Sequence, residues 1–177
     1  ISPYSELIVY QDKLYFHGYL GGGSFNTYLI SMDSDHNFSS HSVSFGANLP
    51  YFVEFNDQLY FQGDLGSGRA LCTYDGINTP YYAVNPDSSS PAPLVLSPPV
   101  MHDGMLYFQG DDGIYGEEMW KYDGYTFSMV VDFDESGDSD SHPRLSFNGF
   151  LYFTANDGYH STILWKLIPS GTTITNG

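Results

Sequence analysis

The sequence predicts an all-β fold of the β-propeller type, with four repeats of about 45 residues, each a four-stranded antiparallel sheet. Three observations carry this. Leu-Tyr-Phe recurs as Leu14-Tyr15-Phe16, Leu59-Tyr60-Phe61, Leu106-Tyr107-Phe108 and Leu151-Tyr152-Phe153, at spacings of 45, 47 and 45. Every copy follows a tight-turn signal. No window of adequate length has helical period, and 19 glycines and 10 prolines oppose helices anyway.

Each repeat divides the same way. A first strand comes before the turn: Glu6–Val9, Tyr51–Phe55, Leu94–Met101 with a proline break, and Arg144–Phe147. The turns are Tyr10-Gln11-Asp12-Lys13, Phe55-Asn56-Asp57-Gln58, His102-Asp103-Gly104-Met105 and Phe147-Asn148-Gly149-Phe150. Asp-Gly and Asn-Gly supply the positive φ of a two-residue hairpin. The Leu-Tyr-Phe strand comes second, apolar on both faces as a sheet stacked between neighbours requires. After a Gly/Asp loop, a third strand carries Leu29-Ile30, Leu71-Cys72, Met119-Trp120 or Leu164-Trp165. A second turn follows, clearest at Asp75-Gly76 and Asp123-Gly124. The fourth strand is expected at His41–Phe45, Tyr81–Val84, Phe127–Val131 and Thr172–Thr175. The repeats then span 1–46, 47–92, 93–141 and 142–177, within one domain over 1–177, its sheets packed radially.

Composition removes several functions. Apolar residues make up 41% of the chain, too many for disorder. Twenty-one acids against five bases give a formal charge of -16, which repels nucleic-acid phosphates and anionic membranes. No apolar run approaches the roughly 20 residues of a membrane-spanning helix. Low lysine with abundant Tyr, Ser, Gly and Asp leans towards an extracellular or cell-surface setting.

The segment Phe108-Gln109-Gly110-Asp111-Asp112-Gly113-Ile114-Tyr115-Gly116-Glu117-Glu118-Met119-Trp120-Lys121-Tyr122-Asp123-Gly124 resembles the repeat of a secreted, mostly bacterial family with the consensus E-L-W-x-x-D-G-T. Phe153-Thr154-Ala155-Asn156-Asp157-Gly158 with Leu164-Trp165-Lys166 is a second match. Ile30 and Cys72 depart from it where the consensus has Trp. The resemblance implies a propeller-like fold in an exported protein and no particular chemistry.

The candidate sites are few. Asp132, Asp134, Asp138 and Asp140 lie in an acidic run that starts like a calcium loop. Its twelfth position is Pro143, where an EF-hand needs a bidentate Glu. The run reads either as a solvated inter-repeat turn or as a weak calcium site. Asp111, Asp112, Glu117 and Glu118 surround Gly113 and Gly116, and the expected reading is a turn whose acids sit in water. The six histidines form no zinc-type pair, so scattered surface histidines are expected. Cys72 falls at the core position of Trp120 and Trp165, which favours an inert buried thiol. Gly21-Gly22-Gly23-Ser24 lacks the Lys and helix of a phosphate loop. Asn37-Phe38-Ser39 is a glycosylation sequon.

No catalytic residue is assigned. The expected function is a non-enzymatic extracellular scaffold or assembly module. The alternative is carbohydrate binding, through exposed aromatic rings, or calcium-dependent adhesion. The sequence opens on a first strand and closes near the end of a fourth, so four whole repeats are expected. Such a run either closes on itself or is completed by another copy, in oligomers or filaments.

Overall fold

The structure is a computed structural model and describes residues 2–3, 6–19, 27–41, 43, 51–64, 69–83, 93–168 and 174–176. Among them there are only strands, bends and turns, and no helix.

The first repeat contains β1 (Ser2–Pro3), β2 (Ile8–Tyr10), β3 (Lys13–Tyr19), β4 (Thr27–Met32) and β5 (Phe38–His41). The second contains β6 (Phe52–Phe55), β7 (Gln58–Asp64), β8 (Arg69–Tyr74) and β9 (Tyr81–Tyr82). The third contains β10 (Leu94–Val95), β11 (Val100–His102), β12 (Met105–Asp111), β13 (Glu117–Tyr122) and β14 (Phe127–Val131). The fourth contains β15 (His142–Phe147), β16 (Phe150–Ala155), β17 (Ile163–Leu167) and β18 (Ile174–Asn176). Each repeat forms its own antiparallel sheet from strands consecutive in the chain. The first strand is split in repeats one and three, where both pieces pair with β3 or β12. In the fourth repeat the same strand stays whole, with a register shift between Pro143 and Leu145.

The turn before Leu-Tyr-Phe is a two-residue hairpin in every repeat. Gln11-Asp12, Asn56-Asp57, Asp103-Gly104 and Asn148-Gly149 all have positive φ at both positions. That geometry twists the strand pair in the favoured sense. It also sets one register, with Tyr10 opposite Lys13, Phe55 opposite Gln58, His102 opposite Met105, and Phe147 opposite Phe150.

The fourth strand of repeat one differs from expectation, at Phe38–His41 rather than His41–Phe45. The cause is local. The Asp33 carboxylate accepts the Asp35 and Asn37 amides, and the Asp33 amide donates to the Asn37 carbonyl, so the strand resumes at Phe38. Residues 42 and 44–45 lie outside the described residues, as do 84 and 172–173 of the other expected fourth strands.

The chain divides into two compact units, Ile1–Ala83 and Val84–Gly177, each holding two repeats. In the first unit, Tyr10, Tyr15 and Leu29 on one face of the first sheet pack against Leu59, Phe61, Cys72 and Tyr74 on one face of the second. In the second unit, Tyr107 and Met119 of the third sheet pack against Leu151, Phe153, Ala155 and Leu167 of the fourth. Side chains alternate along a strand. In each unit the Tyr of the earlier Leu-Tyr-Phe therefore faces the later sheet, and the Leu and Phe of the later one face back; by the same alternation every sheet has a leading face on the Tyr side and a trailing face on the Leu and Phe side. Burying one such Leu or Phe side chain contributes roughly 1.5–3 kcal/mol.

Phe16 pairs with Ile30, Phe61 with Cys72, Phe108 with Trp120 and Phe153 with Trp165. The third-strand residue has to fit the position two after that Phe. A Cβ on Gly63 would meet Cys72 Sγ at 2.7 Å, and one on Gly110 would meet Trp120 Cδ1 at 2.9 Å. The fourth repeat has Ala155 there, and Trp165 Nε1 donates to its carbonyl at 3.1 Å.

Candidate functional site

The acids of the repeats mostly build turns. Asp75 accepts the amides of Ile77 and Asn78 and the Asn78 side-chain amide. Asp123 accepts the amides of Tyr125 and Thr126 and the Thr126 hydroxyl. Asp33 makes the equivalent set, closing on Asn37. In all three, backbone donors hold the carboxyl below its usual range, led by Asn37, Asn78 and Thr126 respectively. Asp111 accepts from Gly113 N, and Asp112 from Ile114 N and Tyr115 N. Asp157 caps Tyr159 and His160 and pairs with the His160 ring at 2.8 Å. That partner, more than any other, draws the Asp157 carboxyl down to about 2.

Glu118 corrects the expectation that the acids of its loop sit in water, because its side chain is fully buried. It is the second residue of β13 and holds the acidic linker down. Its Oε1 accepts Ser139 N at 3.1 Å, and its Oε2 accepts Phe133 N at 3.0 Å and Ser139 Oγ at 2.7 Å. Ser139 also accepts from Asn156 N at 2.7 Å, which ties the linker to the end of β16. Burial pushes the Glu118 carboxyl up to about 7, against the pull of these hydrogen bonds, and the Asp132 charge adds to the rise.

The structure distributes the four calcium candidates along this linker. Asp132 has one buried carboxylate oxygen, Oδ1, without a hydrogen-bond partner among the described residues. Asp134 accepts from Ser136 N and Ser136 Oγ. Asp138 accepts Glu117 N at 3.0 Å. Asp140 is exposed, with a left-handed backbone at φ 49, and its carbonyl faces His142 Nδ1 at 2.7 Å. Among the described residues, no three His, Cys, Asp or Glu side chains converge as a metal site would require.

Two histidines also correct the surface expectation. His17 is buried, which lowers its imidazole to about 4. His102 is buried on the leading face of the third sheet, with Nδ1 2.8 Å from Ser146 Oγ. Cys72 is fully buried, as its place in the repeat predicted. Asn37 is exposed and donates its side-chain amide to Asp33 at 3.1 Å.

The chain is similar in structure to the β-propeller domain of the Trilobed protease from Pyrococcus furiosus, a domain described as having an open velcro topology. The TM-score is 0.61 at 11% sequence identity, and the match covers 98% of this chain. The fold is of the β-propeller type. The chain spans about half, 54%, of the length of that protein chain. No family model matches the sequence, and no curated protein matches it. At 11% identity the likeness concerns the propeller fold and not the protease's chemistry.

Sequence reasoning missed the role of Glu118, although aligning the repeats carried a signal for it. Glu118 pairs with Gly110, and the matching third-strand positions are Tyr28, Ala70 and Ile163. A lone acid among such residues is an acid with an internal partner to satisfy.

Proposed function

We propose that the chain is a non-enzymatic scaffold or assembly module that acts outside the cell or at its surface by associating with further copies of itself. What supports this most is the work done by the motif residues from Glu118 to Gly124. Glu118 secures the linker, Trp120 is 6% exposed in the core, Asp123 caps the turn, and Gly124 supplies its φ of 99. The motif builds the repeat, and its carboxylates serve the chain's own amides. The resemblance to secreted E-L-W-x-x-D-G-T repeats and the composition favour the extracellular setting. Sedimentation velocity and electron microscopy of native material test the reading. Particles larger than one chain are expected. A compact monomer at every accessible concentration, with no particles, overturns it.

A second reading, carbohydrate binding or calcium-dependent adhesion, draws on different residues. Tyr115, Tyr125 and Tyr159 are 50%, 67% and 93% exposed and offer ring faces of the kind that stack on sugars. The buried Asp132 Oδ1 offers a cation one oxygen, with Asp134, Asp138 and Asp140 as further oxygen donors. A melting temperature that rises in millimolar calcium relative to chelator supports the calcium branch, and an unchanged one removes it. Retention on an immobilised-glycan panel that is lost in Tyr159→Ala supports the sugar branch. Asn37 is the candidate glycan acceptor wherever the chain passes a glycosylating route, read as a mass loss on enzymatic deglycosylation.

A further inference from the structure

Two imidazoles lie in the seam between the first two sheets. His17 of β3 and His41 of β5 both pair with Leu29 of β4, so the three side chains stand in a row on the leading face of the first sheet. Leu29 is fully buried in the cluster that joins this face to Leu59, Phe61, Cys72 and Tyr74 of the second sheet. His17 is buried and His41 half-buried. The His41 ring lies 4.7 Å from the Tyr74 ring and stacks on Tyr15 at 6.4 Å. Its two nitrogens face the Tyr74 hydroxyl at 3.3 and 3.4 Å, and Nε2 faces Ser31 Oγ at 3.4 Å. His41 thus ties the edge strand of the first sheet to the second sheet. The charge that acts on it is Lys13 of β3, a cation like the imidazolium. The carboxylates Glu54, Asp57 and Asp75 act on Tyr10, and Asp75 on Tyr74 as well.

We propose that this seam is an acid-opened joint, closed near neutral pH, in which protonation of His17 and His41 parts the first two sheets and uncovers Cys72 while the second unit stays folded. The neutral rings suit an apolar seam and the charged rings do not. Burial lowers His17 to about 4, and burial with the Lys13 charge lowers His41. Each imidazole therefore supports closure fully above its ordinary value of 6.5, and that support is lost as pH falls, for His17 through about 4. Strand spacing puts the two rings on the order of 10 Å apart, so imidazoliums at both positions also repel each other. The corresponding face of the third sheet holds a single imidazole among the described residues, His102.

Cys72 reports the joint, because the chain's one thiol is fully buried in this seam. The test is its labelling in the whole chain by a dipyridyl disulfide, a reagent that attacks thiols in acid as well as at neutral pH. Protection is the labelling rate of the urea-unfolded chain divided by that of the native chain at the same pH. It should be lower near pH 4.5 than near pH 7.5 by roughly 50–100-fold from His17 alone. His17→Gln should remove most of this change. Lys13→Gln, at an exposed position, should move the opening to lower pH, because it relieves the His41 imidazolium of a like charge, and it keeps the test in force should His17→Gln fail to fold. Emission from Trp120 and Trp165 follows the other unit. Equal protection at the two pH values overturns the inference. So does protection lost only together with a red shift of that emission, which marks unfolding of the whole chain. A pH response that neither variant alters assigns the opening to other groups and overturns it too.

Discussion

Replacing Glu118 with Gln should change how stability depends on pH, in a defined window and with a defined sign. In the folded chain the Glu118 carboxyl is raised from 4.5 to about 7. A group raised on folding holds its proton more tightly in the native state. Its contribution is therefore complete below 4.5 and is lost as pH rises through about 7. At about 1.4 kcal/mol per tenfold change in proton affinity, the loss is on the order of 3 kcal/mol. His17 acts in the opposite sense. Its imidazole is lowered from 6.5 to about 4, so its contribution is present above 6.5 and is lost as pH falls through about 4. The comparison that isolates Glu118 is wild type minus Glu118→Gln, in which His17 cancels. The variant keeps one acceptor but turns an amide NH₂ towards a donor, a pH-independent cost of about 1–3 kcal/mol. Trp120 and Trp165, the only two tryptophans, lie in the same unit as Glu118, so fluorescence during urea unfolding reports that unit. The difference in unfolding free energy should fall by roughly 3 kcal/mol between pH 4.5 and 7.5. A difference constant within about 0.5 kcal/mol over that range would refute the assignment of Glu118 as the titrating staple.

Other outcomes follow from the same structure. Ser139→Ala should cost about 1–2 kcal/mol and move the Glu118 titration still higher, because the hydroxyl donor to Oε2 is gone; a downward move contradicts the geometry. Gly110→Ala should lose about 1–3 kcal/mol, since its methyl would sit 2.9 Å from Trp120 Cδ1 and 3.1 Å from the Leu94 carbonyl oxygen; a melting temperature equal to wild type argues against that packing. Cys72 should react with a thiol reagent only at the rate of unfolding, and prompt stoichiometric labelling of native protein would place it elsewhere.

The sheets were legible because their signals are local and repeated. A two-residue turn followed by Leu-Tyr-Phe determines both register and facing, so the second and third strands of every repeat lie where the pattern places them, while the first strand of repeat one falls at Ser2–Pro3 and Ile8–Tyr10 rather than Glu6–Val9. The fourth strand of repeat one was displaced by the Asp33 turn, a side-chain cap that contains no glycine to announce it. Single-residue environments were harder to read. His102 looks like a surface residue alone, but stacking the repeats puts it in a column with Tyr10, Phe55 and Phe147, which is an apolar column. His17 lies beside the buried Phe16 and opposite the buried Leu29. The acidic linker looked like a cation loop because Asp, Ser and Gly build turns and ligate calcium equally well, and spacing alone does not separate the two uses.

The order of strands within each sheet has a consequence for how the chain is made. Every described strand pairs only with neighbours from its own repeat. None waits for a partner from a distant part of the sequence, and the two-residue hairpins that open each sheet form in about 1–10 μs. During synthesis a repeat can complete its hydrogen-bonded ladder soon after its last strand leaves the ribosome, at a stage when later repeats do not yet exist. The leading face of the newest sheet stays wet until the next is made. Within each unit folding is then vectorial, with the earlier sheet serving as the template on which the later one condenses.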